Sequence, residues 1–267
     1  MKKFLVTGDK HGNFSNFLYS IQGLYKPKET AIIILGDAGF NFWLNEKDEK
    51  TKLFVSSFRY TIYCVRGNHE ERPENLGYNL EYDPEVMGEV YIDPIAENIR
   101  YFQDGGEYNI NGYKVLTIGG AYSVDKEARL RWPAREDGWT SWFASEQLTE
   151  QEREKIKEKV KGNFYDFVFT HTCPISCEPT DLFIPSIDQS KVDKIMENWL
   201  EDIKNNIIYA VWCFGHYHAD RAERPCIEQF YRTYEDIEKL WNRWCLYNPT
   251  KQIDDMIYTS PKFEINF

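Results

Sequence analysis

The stretch that decides the fold is Thr61-Ile62-Tyr63-Cys64-Val65-Arg66-Gly67-Asn68-His69-Glu70. Its first five residues are β-branched, aromatic or apolar and predict a buried strand. Gly67 lets the chain turn sharply past the strand end, so that Asn68 and His69 lie side by side on a loop. An asparagine offers an amide oxygen to a metal ion, and a histidine binds a metal or transfers a proton. One such loop would be weak evidence, but the chain contains four others built in the same way.

The four other loops also follow short apolar runs that end in Asp or His. All five histidines of the chain lie in these five loops. Because ligands of open α/β sheets bind beyond the carboxyl ends of the strands, the shared pattern predicts that the loops meet at one metal centre. A single histidine in such a loop is more often an ordinary loop or core residue, but five together with two aspartates and an asparagine favour a metal site. The four runs are residues 4–12, 32–37, 167–171 and 211–218.

The order of the elements predicts an α/β fold that begins with a parallel half-sheet. An apolar stripe at helical spacing in 14–24, a strand at 31–35, a charged helix near 45–58 and the strand at 61–65 form a βαβαβ unit. Short alternating runs then suggest antiparallel strands, with Asn111-Gly112 as a hairpin turn. We therefore expect a four-layer α-β-β-α sandwich in which two mixed β-sheets pack face to face, formed by residues 1–267 as a single domain. The remaining expected elements are a long loop at 72–88, strands at 89–92, 99–102, 107–110, 113–118, 166–170 and 207–214, helices at 149–161, 191–204 and 234–246, and a strand pair at 257–267 within an otherwise unassigned segment, 219–267.

Composition narrows the classes of partner. The net charge of −11 disfavours long nucleic acids, which are held mainly by Lys and Arg on phosphates, but it leaves room for a nucleotide beside a dinuclear metal site. No run of about 18 apolar residues predicts a membrane span, and Met1-Lys2-Lys3 leads directly into a strand rather than a cleavable signal. The six cysteines are scattered and fit reduced thiols in a cytoplasmic protein. A zinc pair at Cys173 and Cys177 is disfavoured by Pro174 and by the lack of a second pair.

Residues 120–147 form the most unusual segment. Three tryptophans and three arginines lie within 129–142. One interpretation is a cap that faces the substrate, in which Arg129, Arg131 and Arg135 clamp a phosphate and the tryptophans provide a stacking surface. The alternative is a loop that its tryptophans pin to the core. The sequence favours neither.

The five loops together resemble one known family. The residues Asp9-x-His11, Gly36-Asp37, Gly67-Asn68-His69-Glu70, His171 and Gly215-His216-x-His218, in that order, are similar to the motifs of the calcineurin-like metallophosphoesterases. The match covers residues 4–218, and its five-part pattern is highly specific.

One motif departs from the protein phosphatase branch of that family. There the second motif continues into Asp-Arg-Gly, whereas here Gly36-Asp37 is followed by Ala38-Gly39-Phe40-Asn41-Phe42-Trp43. The change removes a phosphate-binding arginine. It argues against a phosphoprotein phosphatase and leaves the metal ligands untouched.

The resemblance implies a dinuclear site on a metallophosphatase-like fold. It implies that Asp9, His11, Asp37 and His218 bind one metal ion, that Asn68, His171 and His216 bind the other, and that Asp37 bridges the two. Two ions about 3.5–4 Å apart clamp the attacking and leaving oxygens and activate a water as hydroxide. Such mixed ligands suit manganese, which we favour, with iron, zinc or magnesium as alternatives.

The resemblance also leaves His69 as a residue that does not bind metal. We expect His69 to protonate the leaving alkoxide or to stabilise charge on the phosphoryl oxygens, beside Asn68 and Asp37. Glu70 or another carboxylate is expected to orient His69, and Arg66 is expected to be structural.

Four functions compete at this point. The favoured one is hydrolysis of a phosphate monoester or diester of a small molecule or nucleotide. A serine/threonine-type phosphoprotein phosphatase is supported by residues 66–70 and weakened by the second motif. A non-catalytic scaffold would be expected to lose ligands, and this chain keeps them. A nuclease is disfavoured by charge.

Overall fold

The computed structural model describes residues 1–132, 135–136, 139–222 and 226–248. These residues form two mixed β-sheets that pack face to face, with helices on both outer faces. The expected α-β-β-α sandwich is therefore confirmed.

The first sheet has seven strands. Its centre is parallel, and its outer strands on both sides run antiparallel to their neighbours. In spatial order the strands are β13 (Tyr234–Asp236), β1 (Lys3–Thr7), β2 (Thr30–Leu35), β3 (Thr61–Val65), β6 (Ile99–Phe102), β5 (Gly88–Ile92) and β4 (Asn79–Asp83).

The second sheet has six strands among the described residues. Four of them are parallel, and one antiparallel strand flanks them at each edge. In spatial order they are β11 (Arg221–Ala222), β12 (Ile227–Gln229), β10 (Ile208–Phe214), β9 (Phe164–Thr170), β8 (Tyr113–Ile118) and β7 (Gly106–Ile110).

Helices cover the outer faces of both sheets. α1 and α2 pack on the first sheet, and α4 and α5 pack on the second, while α6 closes one end of the core between the sheets. A short helix, α3, lies in the segment 120–147. The bounds are α1 (Ser15–Gln22), α2 (Glu46–Ser56), α3 (Lys126–Leu130), α4 (Glu150–Val160), α5 (Ile195–Asn206) and α6 (Ile237–Tyr247).

Strand β2 shows why the central strands read as continuous apolar runs. Ile33 and Leu35 point into the core between the sheets, whereas Ile32 and Ile34 point towards α1 and α2. Every residue of β2 is buried. A strand buried on both faces has no polar side to show in the sequence.

Most elements expected from the sequence are present within two to four residues of their expected bounds. The turn at Asn111-Gly112 is confirmed, since both residues have positive φ (56° and 87°) between the antiparallel strands β7 and β8. No disulfide joins any two of the six cysteines, all of which lie in the described part of the chain.

Four expectations about elements were wrong or incomplete. The stretch 72–88 is not all loop, because it contains β4 at the edge of the first sheet. The strands β6 and β8 each have a parallel neighbour, so the middle of the chain is not wholly antiparallel. Residues 234–236 form β13 rather than the start of a helix, and the segment after 219 adds three strands to the two sheets. The expected strand pair at 257–267 lies outside the described residues.

Across the described part of the chain, no helix has both the length and the apolar character needed to cross a membrane.

Candidate metal centre

Five strands end at one edge of the sandwich. The loops after β1, β2 and β3 come from the first sheet, and the loops after β9 and β10 come from the second. Their polar side chains converge in two overlapping groups of potential metal ligands, Asp9 with His11 and His218, and Asp9 with Asp37 and His171. The sequence-based expectation that these loops meet is confirmed by this geometry.

Asp37 is at the centre of the cluster. Its Oδ2 lies 3.9 Å from His11 Nε2, 3.9 Å from His69 Nε2 and 3.6 Å from His171 Nε2. Its Oδ1 accepts a hydrogen bond from the backbone N–H of His69 at 2.9 Å. One carboxylate oxygen is thus held by the third loop, and the other faces three imidazoles from three different loops.

Asp9 has one carboxylate oxygen suited to bind a cation. Its Oδ2 accepts the backbone N–H of His216 at 2.9 Å. Its Oδ1 is buried and accepts no hydrogen bond from the described residues, although His218 Nε2 lies only 3.8 Å away. Buried carboxylate oxygens are rarely left without a partner, because desolvation is costly. His11 Nε2 and His218 Nε2 are 2.9 Å apart, so both imidazoles point at the same space beside that oxygen.

Asn68 and His171 form the other side of the cluster. Asn68 Oδ1 lies 2.7 Å from His171 Nε2, and the rings of His171 and His216 are 5.0 Å apart. His171 Nδ1 lies 2.8 Å from the carbonyl oxygen of Leu35, so this nitrogen donates and Nε2 is left to face Asn68 and Asp37. A backbone partner of this kind fixes which nitrogen of a metal-binding histidine is free to bind.

The backbone at the cluster is strained. Four candidate ligands have φ in the left-handed region: His11 (47°), Asp37 (49°), His216 (67°) and His218 (52°). Such conformations are uncommon for residues other than glycine and concentrate at functional sites. These backbone conformations occur in separate loops whose side chains point to the same place.

Two glycines next to the ligands are required by close packing. A β-carbon at Gly36, where φ is 88°, would lie 2.0 Å from His171 Nδ1. A β-carbon at Gly67 would lie 1.9 Å from Asp37 Oδ1. Gly67 does not have a positive φ, so its role differs from the sharp turn expected from the sequence: it lets the Asp37 carboxylate approach the backbone.

The charges within the cluster are unbalanced without a cation. Burial raises the pKa of Asp9 to about 6. His171 is also buried, but the carboxylates of Asp37 and Asp9 outweigh that effect and raise its pKa to about 9. Burial lowers the pKa of His218 to about 4 and that of His216 well below its usual value, so both rings are neutral, as metal binding requires. Together with the oxygen of Asp9 that lacks a donor, the carboxylate, imidazole and amide donors fit divalent transition metals.

The three arginines of the segment 120–147 differ in position. Of these, only Arg129 lines the cavity beside the cluster within the described part of the chain. Arg131 is exposed, and Arg135 Nη2 donates to the carbonyl oxygen of Trp43 at 2.9 Å. Arg129 is therefore on the wall of the cavity, whereas Arg131 and Arg135 are not.

The segment 120–147 combines both interpretations made from the sequence. Its first part lines the cavity, whereas Trp139 Nε1 donates to the carbonyl oxygen of Phe42 at 2.6 Å and its ring stacks on Trp43 at 5.2 Å. These contacts hold the segment against the loop of the second motif.

Of the two alternatives for the carboxylate beside His69, the contacts favour another carboxylate, that of Asp37, over Glu70. The Glu70 carboxylate accepts the backbone N–H groups of Gly39 and Phe40 and so stabilises the loop after Asp37. Asp37 Oδ1 accepts the backbone N–H of His69, and Asp37 Oδ2 lies 3.9 Å from His69 Nε2. Arg66 pairs with Asp104 at 2.9 Å and donates to the carbonyl oxygen of Glu146 at 3.0 Å, which agrees with a structural role.

Two residues at the site were missed in the sequence. Ser123 is buried, and its Oγ accepts a hydrogen bond from Asn68 Nδ2 at 2.8 Å. Tyr231 stacks on the ring of His218 at 4.8 Å. Neither residue ends an apolar run, so the pattern that identified the ligands could not identify these neighbours. The Gly119-Gly120 pair ahead of Ser123 was the one available signal of close packing.

A cavity of about 730 Å³ opens from the cluster. Residues 122–125 and Arg129 form one wall, and Phe42 with Trp43 lies near them. Residues from the segment 182–194 form a further part of the wall. This volume is typical of pockets that hold a complete small molecule rather than a phosphate group alone.

The chain is similar to a known family and to known proteins. A model of the family described as calcineurin-like phosphoesterase matches residues 2–220. Serine/threonine-protein phosphatase 5 of Arabidopsis thaliana is 28% identical over 133 residues, which are 46% of this chain and 23% of that protein, so the chain covers less than a quarter of that relative's length. The crystal structure of phosphopantetheinyl hydrolase from Mycobacterium tuberculosis is similar over 91% of this chain and 92% of that one, with 14% identity and a TM-score of 0.41. The chain belongs to the calcineurin-like phosphoesterase family, which implies metal-dependent hydrolysis of phosphate esters.

Proposed function

We propose that this protein hydrolyses a phosphate monoester or diester of a small molecule at a dinuclear metal centre. The observation that carries the proposal is the buried Oδ1 of Asp9, which lacks a hydrogen-bond donor within a cluster of imidazoles and carboxylates. A cation beside that oxygen would satisfy it and would balance the charges of Asp9 and Asp37.

Seven side chains would hold the metal ions. Two divalent ions, for which manganese suits the donor set, would polarise the phosphoryl group and activate the attacking water when bound. The buried Asp37 lies between the two halves of the cluster and would contact both ions. The seven are Asp9, His11, Asp37, Asn68, His171, His216 and His218.

His69 contributes without binding metal. Its side chain is 20% exposed and lines the cavity, and its backbone N–H is bound by Asp37. Burial lowers the pKa of His69, although Asp37 opposes the effect, so the neutral ring predominates at pH 7. A neutral imidazole has one N–H, which can donate to a phosphoryl oxygen as charge develops there. This geometry favours charge stabilisation over full proton transfer.

Arg129 replaces the arginine that the second motif lacks. Its Nε pairs with Asp125 at 2.8 Å, and its Nη1 donates to the carbonyl oxygen of Ser141 at 2.9 Å, so its position on the cavity wall is fixed. Arg129 and His69 line the same cavity. A planar guanidinium is suited to bind phosphoryl oxygens.

The direct test is hydrolysis of p-nitrophenyl phosphate and bis-p-nitrophenyl phosphate by metal-stripped protein after manganese is added. Activity on the monoester alone indicates a phosphatase, and activity on both indicates a phosphodiesterase. An Asp37→Asn variant is the control and should be inactive on both. Hydrolysis of neither ester by protein with two bound ions would contradict the proposal.

A phosphoprotein phosphatase is the second candidate. It is favoured by the 28% identity to serine/threonine-protein phosphatase 5. The loop after Asp37 argues against it, because Phe42 and Trp43 there pack against Trp139 instead of providing an arginine. A phosphoserine peptide hydrolysed with higher kcat/KM than p-nitrophenyl phosphate would favour this second function.

A further inference from the structure

The cavity is lined by apolar side chains that are exposed to solvent. Val124 is 46% exposed, Leu182 is 40% exposed and Ile184 is 57% exposed. They come from two separate segments that line the cavity, Val124 from residues 120–147 and Leu182 with Ile184 from residues 182–194. Exposed apolar side chains that surround one concave site mark a place where an apolar ligand is buried.

The wall that carries Leu182 and Ile184 is anchored to the metal-centre loops. The ring of Phe183 stacks on Tyr217 at 6.2 Å, and Tyr217 lies between His216 and His218. Arg221 Nη1 donates to Asp181 Oδ1 at 2.8 Å. The apolar wall therefore keeps a fixed position relative to the reacting centre, which a specificity-determining surface requires.

The charges on these walls disfavour a leaving group that carries further anions. Asp193 and Glu197 line the same cavity, as does Asp125, which is paired with Arg129. Lys194 also lines it and is paired with Glu178 at 2.6 Å. Lys47 lines the cavity too, where its ammonium group lies 3.5 Å above the ring of Trp43. An uncharged apolar group would meet favourable surface at Leu182 and Ile184, whereas a second phosphate or a carboxylate would meet the carboxylates of Asp193 and Glu197 in the same cavity.

We infer that the substrate is a phosphate ester whose alcohol part is an uncharged, extended alkyl or aryl group, buried between Val124 and the pair Leu182 and Ile184. The inference rests on the proposed function, because it assigns the phosphoryl group to the metal centre and the alcohol part to the rest of the cavity. The cavity of about 730 Å³ leaves room for such a group beside the phosphoryl position.

The test measures binding, so that it does not depend on turnover. Manganese-loaded protein is titrated calorimetrically with n-alkylphosphonates from ethyl to octyl, which present a phosphate-like head and cannot be hydrolysed at phosphorus by loss of an alcohol. A fully buried methylene strengthens binding about fourfold. We expect Kd to fall by at least about twofold for each methylene up to hexyl, and 6-phosphonohexanoic acid to bind at least about tenfold more weakly than hexylphosphonate.

Substitutions at Leu182 and Ile184 test whether these side chains cause the dependence of Kd on chain length. Ile184→Asn and Leu182→Asn should each flatten the dependence of Kd on chain length, and both positions are exposed enough for the substitution to be tolerated. Ile95→Asn is the matched control, since Ile95 is 38% exposed and lies in the turn before β6, and it should keep the full dependence. A Kd that changes less than twofold from ethyl to hexyl, or equal binding of hexylphosphonate and its carboxylate analogue, would overturn the inference. Absence of p-nitrophenyl phosphate turnover alongside a steep length dependence would instead count against the proposed function alone.

Discussion

At the scale of single residues, the site depends on side chains whose surroundings leave one atom free. His171 uses Nδ1 for the carbonyl oxygen of Leu35, and Asp37 uses Oδ1 for the backbone of His69. Asp9 uses Oδ2 for the backbone of His216. In each case the other atom faces the cluster, so hydrogen bonds outside the cluster prepare the inner atoms to bind metal.

The ligand residues could be predicted from the sequence, but their neighbours could not. Each ligand follows an apolar run, and the carboxyl ends of buried strands meet in space. Ser123 and Tyr231 follow no such rule, because their contacts with Asn68 and His218 arise only when distant segments pack. Which carboxylate contacts His69 was left open for the same reason, since adjacency to His69 in sequence does not decide where the Glu70 carboxylate points.

Replacement of Arg129 by alanine should raise KM for p-nitrophenyl phosphate at least about tenfold, because a hydrogen bond to a charged group contributes about 1.5–3 kcal/mol. Arg131→Ala is the matched control, since Arg131 is exposed and lies outside the cavity wall. Steady-state kinetics measure both. Equal effects of the two substitutions would show that Arg129 does not bind the phosphoryl group.

Replacement of His69 by alanine should lower kcat at least about 100-fold while the protein still binds two metal ions per chain. The physical reason is that His69 faces the cavity but binds no metal in the proposed arrangement. Elemental analysis gives the metal content, and His218→Ala serves as comparison because it should lose metal. Loss of metal from the His69 variant would contradict the assigned role.

Replacement of Ser123 by alanine should weaken metal binding about tenfold, because Asn68 Nδ2 loses its hydrogen-bond acceptor and its amide is free to rotate. Competition with a chelator of known affinity measures the change without the need for turnover. Ser20→Ala, at an exposed position on α1, should leave the affinity unchanged. An unaltered affinity in the Ser123 variant would mean that Asn68 is oriented by other contacts.

At the scale of elements, helices and strands with a regular pattern of apolar residues could be predicted from the sequence. Exposed strands at the edge of a sheet could not. The helix α1 could be predicted because Phe17, Leu18 and Ile21, all buried, recur at helical spacing. Strand β4 has the sequence NLEYD, and four of its five residues are exposed, so its two alternating hydrophobic residues, Leu80 and Tyr82, are too few to mark a strand. Asp236 ends β13 and caps α6 through Glu238 N–H, so a strand and a helix meet without the break that would separate them in the sequence.

The segment 120–147 is held by arginines of the third motif. Arg66 donates to the carbonyl oxygens of Ser145 and Glu146, and Arg72 donates to those of Ser145 and Gln147. The loop 66–72 therefore carries Asn68 and His69 at the candidate metal centre. It also holds residues 145–147, the end of the segment 120–147, which contains Ser123 near its start.

Replacement of Arg66 by alanine should lower the free energy of unfolding by about 3 kcal/mol, because it leaves Asp104 without its ion-pair partner and removes one of the donors to the carbonyl oxygens of Ser145 and Glu146. Urea denaturation measures the change. The exposed pair of Lys50 and Glu46 is the control, and Lys50→Ala should cost less than about 0.5 kcal/mol. A stability loss as small as that of the control would show that Arg66 does not anchor the segment.

At the scale of the whole molecule, the two-sheet sandwich brings ligands from both halves of the chain to one edge. Asp9, Asp37 and Asn68 come from the first sheet, and the loops after β9 and β10 come from the second. The sandwich could be predicted because its central strands are buried on both faces and read as apolar runs. The cavity wall at 182–194 could not, because its short turns have no periodicity and it takes its position from contacts with Tyr217 and Arg221.

The most direct test of the central claim is a titration of metal-stripped protein with manganese, in which bound metal and hydrolysis of p-nitrophenyl phosphate and bis-p-nitrophenyl phosphate are followed together. A dinuclear centre predicts that hydrolysis is absent without metal, rises as ions bind and levels off at two ions per chain. Full hydrolysis by the metal-stripped protein, or two tightly bound ions with no hydrolysis of either ester, would contradict the claim.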